Sequence, residues 1–310
     1  MDNILEIKNL NVGFNIEDNF YYALNNIDLS FESGKIHAIA GESGCGKSVL
    51  INTILKLLPK NGVIKSGEIY FQNQNLIEIK EKDFKKIRGN MISLIPQDPF
   101  MSLNPLYTIE NQLLEIPHLK KEKEPNKVIK NALNEVKIKN IETVLKSYPH
   151  ELSGGMKQRI IIAMALISGS DLILADEPTT ALDVTVSNSI LNLLLDLKNK
   201  GKTIVLITHD LSIVSNYCDT TTIMYLGDIV EKNKSAVLFK NPLHPYTKAL
   251  LGALPTQKGK KLENIKGQIS PITQPITGCK FHPRCNCKIE ICKNNGPNLI
   301  NNVACHLCNM

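Results

Sequence analysis

The sequence predicts an α/β fold, in which a layered core of parallel strands and helices carries an antiparallel β portion, a helical insert and a small cysteine-rich extension. Three observations predict it. First, four short runs, "IHAIAG", "MISLIPQ", "DLILADE" and "TIVLITHD", are apolar almost throughout, as strands covered on both faces must be. Second, each is followed by helix-like or loop material, and strands alternating with helices build a layered parallel core. Third, the first of these runs opens through a glycine-rich loop directly into a helix-like stretch.

In chain order, "ILEIKNLNVGF" through "NNIDLSFESG" alternates and reads as antiparallel strands with a glycine turn. "KIHAIA" is the first buried strand, and "SVLINTILKLL" the helix after it, ended by Pro59. Between "PQDPF" and "YPHELSGG" there are no strand-like runs and many Lys, Glu and Asn residues. This predicts a mostly helical insert over about residues 98–165. The two remaining strands follow. "NPLHPYTKALLGALPTQKGKK", punctuated by Pro and Gly, reads as a boundary. Residues 1–255 and 256–310 are therefore expected to form separate domains, the second rich in Cys, Asn and Pro.

The glycine-rich loop "GESGCGKS", Gly41 to Ser48, fits G-x-x-x-x-G-K-[ST] in the strand–loop–helix context that this motif needs. Gly44 and Gly46 let backbone N–H groups curl around a phosphate, and the helix adds its positive end. Lys47 is suited to the β- and γ-phosphates and the Ser48 hydroxyl to Mg²⁺. Cys45 reads as a small residue tolerated in the loop rather than a reactive thiol.

Two acids complete a phosphate-transfer site. Asp176 ends the strand of "DLILADEPTTALD", where it can serve the Mg²⁺ shell. Glu177, one step on, can polarise an attacking water. His209 follows the apolar part of "TIVLITHD", where an imidazole can hydrogen-bond a γ-phosphate. A second anion-holding helix start, "LSGGMKQR" from Leu152 to Arg159, then raises the question of why one chain needs two.

Together these elements resemble the nucleotide-binding subunit of ATP-binding cassette (ABC) transporters, a P-loop NTPase with an antiparallel β subdomain and a helical subdomain. The motifs stand in that family's order: Walker A at Gly41 to Ser48, Gln97 of the Q-loop in "LIPQDP", "LSGGM", Walker B in "LILADE", Asp183 of the D-loop in "ALD", and His209. Narrowed to one branch of the family, the resemblance covers about residues 3 to 308. It implies ATP and Mg²⁺ as ligands, with nucleotide contacts from Gly41, Ser43, Gly44, Cys45, Gly46, Lys47, Ser48 and Val49. It makes Phe14 the aromatic on the adenine, with Tyr22 as competitor. Ser48, Gln97 and Asp176 would serve Mg²⁺; Glu177, His209 and Gln97 would be catalytic. It also answers the question of the two helix starts. Two subunits pair head to tail, so Ser153, Gly154, Gly155 and Asp183 serve the nucleotide on the partner's P-loop.

"PQDPFMSLNP", "LSGGMKQR" and "NPLHPYTKALLGALP" narrow the resemblance to the peptide branch, the oligopeptide, dipeptide and nickel importers, and Met156 to its D-type subunit. That branch implies a heterodimer with a second homologous ATPase, two membrane permeases and an extracytoplasmic solute-binding protein. Transport of nickel or a metal chelate is the alternative to peptides. A soluble cassette ATPase acting on DNA or ribosomes would carry two cassettes or a long coiled coil, and neither is visible.

Six of the eight cysteines lie in the last 32 residues, which in a cytoplasmic chain reads as a metal or cluster site. Cys279, Cys285, Cys292 and Cys305 are separated by five, six and twelve residues. Four thiolates suit Zn²⁺ or a [4Fe–4S] cluster, and the spacing alone does not choose. The resemblance implies an iron–sulfur cluster on these four, with Zn²⁺ the alternative. Cys287 and Cys308 are extra. Either centre would staple a tail too small for its own core.

The net charge of +6 is spread through "KKEKEPNK" and "KGKK" rather than gathered on one face, so no nucleic-acid partner is expected. The acidic start "MDNILEIKNL" lacks a signal-peptide core, and no apolar run reaches the ~18 residues of a membrane span. The chain is expected at the cytoplasmic face of the membrane, held there by partners.

Overall fold

The buried strands form where the apolar runs stand. The computed structural model describes residues 2–180, 182–254, 265 and 267–308, in two compact units. The first unit comprises the chain up to Glu78 and again from Leu206; the second runs from Ile79 to Val205. The expected boundary at 255/256 lies outside the described residues.

The first unit opens with β1 (Asn3–Ile16) and β2 (Asn19–Glu32), followed by β3 (Ile36–Ala40), α1 (Lys47–Ile54), β4 (Gly62–Phe71) and β5 (Gln74–Asn75). β1 and β2 pair antiparallel, as their alternation predicts, and an antiparallel sheet of order β2-β1-β4-β5 results. The hairpin turn is made at Glu17, whose φ is 52°, and the predicted glycine turn is the later one at Gly34, φ 72°, which leads into β3. Every residue of β3 is buried. α1 stops short of Pro59 because Lys56 takes φ 52° and closes a Schellman motif: Leu57 N–H donates to Asn52 O at 2.7 Å and Lys56 N–H to Thr53 O at 3.1 Å.

The second unit holds α2 (Glu81–Phe84), β6 (Ile92–Ile95), α3 (Pro99–Ser102), α4 (Ile109–Leu119), α5 (Pro125–Glu135), α6 (Ile141–Lys146), α7 (Gly154–Ile167), β7 (Leu172–Asp176) and α8 (Val184–Asn199). The chain leaves this unit within β8 (Thr203–Thr208). β6 and β7 pair in parallel. The stretch predicted to be helical contains α3 to α6 and runs into α7.

Back in the first unit come α9 (Leu211–Tyr217), β9 (Thr220–Tyr225), β10 (Asp228–Lys234), α10 (Ser235–Lys240), α11 (Pro245–Gly252) and, in the tail, α12 (Ile291–Asn294). β9 pairs in parallel with β3 and antiparallel with β10. The tail is fastened to this sheet: Ala304 N–H donates to Val230 O at 2.9 Å, and Lys232 N–H to Asn302 O at 2.9 Å.

Candidate nucleotide-binding site

In the first unit, β3 delivers the loop Gly41–Ser48 to the start of α1. Two of its glycines are required by close approach. A Cβ on Gly41, at φ 155°, would stand 2.3 Å from Met224 O. On Gly46, at φ 106°, it would stand 2.9 Å from Ala23 O. Gly44 also has positive φ, 83°, with open space around it. Cys45 is buried, and burial pushes its thiol pKa up, which fits an inert small residue rather than a nucleophile.

Lys47 is 5 % exposed. Its Nζ donates to Gly41 O at 2.7 Å and to Glu42 O at 2.9 Å, and lies 3.6 Å from Cys45 Sγ. The ammonium is thus tied to the backbone of its own loop. Ser43 and Ser48 are exposed and Val49 half-buried. Phe14, in β1, is half-buried beside Gly62, whereas Tyr22, its competitor, is half exposed. His209 is exposed just past β8.

In the second unit, Gln97 and Glu177 come together. Gln97 Nε2 donates to Glu177 Oε2 at 3.4 Å, and Thr180 Oγ1 donates to the same oxygen at 2.8 Å. Glu177 has φ 45°, a left-handed backbone that a non-glycine residue adopts at a cost and that clusters at active sites. Asp176 ends β7 and is half-buried. Thr180 is a member of this group that sequence reasoning missed; its only signal is its place three residues after Glu177.

Ser153 is the N-cap of α7, its hydroxyl accepting from Met156 N–H at 3.3 Å. Asp183 caps α8 in the same way, accepting from Val186 N–H at 2.9 Å. Gly155 has a packing role besides any ligand role, since a Cβ there would stand 2.5 Å from Val186 Cγ1. The basic run after the glycines is turned toward protein. Lys157 Nζ sits over the Phe100 ring, 4.2 Å from its centroid. Arg159 donates to Val136 O, at the end of α5, and to Ser189 Oγ on α8. The two cations of "LSGGMKQR" are thus engaged with Phe100, Val136 and Ser189.

Cys279, Cys285, Cys292 and Cys305 line one cavity in the first unit, together with Cys287 and His244. Burial, then the neighbouring thiols, push Cys279 up to about 11, and the same causes raise Cys285. The expected metal centre is not drawn together as a ligand set: among the described residues no three His, Cys, Asp or Glu side chains are arranged to hold a metal ion.

A family model for "ABC transporter" matches residues 24–180, and one for "Oligopeptide/dipeptide transporter, C-terminal region" matches residues 230–292. The chain is 40% identical over 304 residues to a probable peptide ABC transporter ATP-binding protein of Sinorhizobium fredii, covering 96% of this chain and 91% of that protein. It is 39% identical over 302 residues to the oligopeptide transport ATP-binding protein OppD of Escherichia coli, covering 96% and 89%. Among solved structures, a dimeric ATP-binding cassette in a post-hydrolysis state with ADP and Pi superposes with a TM-score of 0.66 at 29% identity, covering 74% of this chain and 98% of that one.

Proposed function

The chain belongs to the ABC transporter family, and from that premise we propose that it is the ATP-hydrolysing subunit of a peptide importer. The observation that carries the cargo class is that similarity to peptide transport proteins runs through the tail as well as the cassette. The tail gives the peptide reading its advantage over nickel or a metal chelate.

In this reading the P-loop holds the phosphates of ATP through the N–H groups of Gly44 to Ser48 and the Lys47 ammonium, and Phe14 stacks on the adenine. Mg²⁺, when bound, would neutralise phosphate charge, with Ser48, Asp176 and Gln97 as its residues. Glu177 accepts the proton of the attacking water, steadied by Thr180 and Gln97. His209 hydrogen-bonds the γ-phosphate. Ser153, Gly154, Gly155 and Asp183 serve the nucleotide on a second, homologous ATPase, so each nucleotide lies between two chains. Two permeases and a solute-binding protein complete the assembly. Among the described residues no helix is long and apolar enough to cross a membrane, so attachment to the permeases would hold this chain at the membrane's cytoplasmic face.

Deleting the chain is expected to abolish growth on a peptide as sole source of a required amino acid. Unchanged peptide use together with lost nickel uptake would reverse the cargo assignment.

We also assign the cysteine cavity to a [4Fe–4S] cluster on Cys279, Cys285, Cys292 and Cys305. Such a centre would hold the four sulfurs as metal-bound thiolates and staple the tail. Anaerobically purified protein is expected to absorb at about 400 nm and to carry iron. Zinc without that absorbance would assign the cavity to zinc instead.

A further inference from the structure

The nucleotide loop is gripped by the cysteine-rich tail. Glu42, the second residue of the loop, is fixed at three points. Its backbone N–H donates to Tyr246 Oη at 3.0 Å, and its carbonyl accepts from Lys47 at 2.9 Å. Its carboxylate accepts two bonds from one guanidinium: Arg284 Nη1 to Oε2 at 2.7 Å and Nη2 to Oε1 at 3.0 Å. This is the bidentate fork geometry that makes an arginine–carboxylate pair both strong and directional. The Arg284 side chain is only 6% exposed, and Nη1 also reaches Tyr225 Oη at 3.3 Å.

Arg284 can do this because the segment around it is pinned to the end of β9 and the turn after it. Lys280 Nζ donates to Leu226 O at 2.6 Å and to Asp228 Oδ1 at 2.7 Å. Phe281 is buried against the rings of Tyr225 and Tyr246, at centroid distances of 5.3 and 5.2 Å. Met224, just upstream on β9, is the residue whose carbonyl crowds Gly41. The tail and the loop thus share one support.

We infer that Arg284 and Tyr246 are positioning residues of the nucleotide site, which neutralise and immobilise Glu42 so that the loop stays shaped for a polyphosphate. The inference rests on reading Gly41–Ser48 as the nucleotide loop. Two effects have the same sign. Without Arg284 a bare carboxylate stands inside an anion-binding loop, where like charge opposes the ligand. Without the fork the loop must also be ordered at the moment of binding, which costs affinity.

The test is titration of the full-length chain with a fluorescent ATP analogue and Mg²⁺, with melting temperature recorded for each variant. Arg284→Gln is expected to raise Kd about fivefold or more, and Arg284→Lys, which offers a point charge instead of a fork, less. Glu42→Gln combined with Arg284→Gln removes the bare carboxylate and is expected to recover part of the loss, which a merely stapling arginine would not allow. A lowered melting temperature with Kd within about twofold of the parent would overturn the positioning role, as would a double variant no tighter than Arg284→Gln. Should Arg284→Gln fail to fold, Arg284→Lys decides: Kd unchanged from the parent overturns the role. Failure of the unsubstituted chain to bind the analogue would instead overturn the nucleotide reading itself.

Discussion

Glu177→Gln in the assembled transporter is expected to slow ATP cleavage on this chain at least about 100-fold while leaving nucleotide bound. The substitution is nearly isosteric. The Oε2 position that takes hydrogen bonds from Thr180 and Gln97 can remain an amide oxygen, so the side chain keeps its place. What is lost is the capacity to take a proton from water. The backbone at φ 45° is unaffected by the exchange, and so the strain at this residue is not a variable in the comparison. Because a second ATPase is proposed to share the assembly, the readout must belong to this chain. An azido-ATP labelled on its γ-phosphate and photocrosslinked here should lose its label with the parent and retain it with the variant. Bound, uncleaved ATP should also hold the paired cassettes together, visible as an ATP-dependent shift in size. Label lost at the parental rate would remove Glu177 from the role of general base.

The same residue illustrates what a sequence can and cannot disclose. Glu177 stands out in the sequence as a candidate because it is a carboxylate one step beyond a buried apolar strand. β3, β7 and β8 are legible for the related reason that burial on both faces demands continuous apolar side chains. The phosphate loop is legible because its chemistry fixes glycines at set spacings, and Gly41 and Gly46 indeed have no room for a Cβ. The end of α1 is not legible in that way. Pro59 suggests a longer helix, and only the left-handed Lys56 shows where the carbonyls are capped.

Arg284 was hidden for a different reason. Its partner lies 242 residues away, and neither "HPRC" nor "GES" carries a local period that announces the other. The cysteine spacing announced a shared site but not its geometry, since four thiols can line one cavity without being placed as ligands for one ion. Long-range polar pairs are products of the folded backbone. They become visible only once β9 and the tail bring the loop, two tyrosines and the guanidinium into one unit.

Lys47→Ala is expected to weaken nucleotide binding at least about 100-fold, because in the proposed reading it removes a charge-assisted donor to two phosphates at once. Lys47 also ties the loop to itself through Gly41 O and Glu42 O, so a loss of binding could in principle be a loss of loop structure. Thermal unfolding separates the two. A ligand that binds only the folded chain stabilises it by about 2.7 kcal/mol when present at 100 times Kd, and by only about 0.4 kcal/mol when Kd has risen to equal the ligand concentration. The nucleotide-induced rise in melting temperature should therefore nearly vanish in the variant, while its melting temperature without nucleotide stays near the parent's. Lys47→Arg should behave like the alanine variant, since a planar fork cannot occupy a buried space shaped by two carbonyls and the Cys45 sulfur. A full nucleotide-induced shift in Lys47→Ala would show that the phosphates are held without this ammonium.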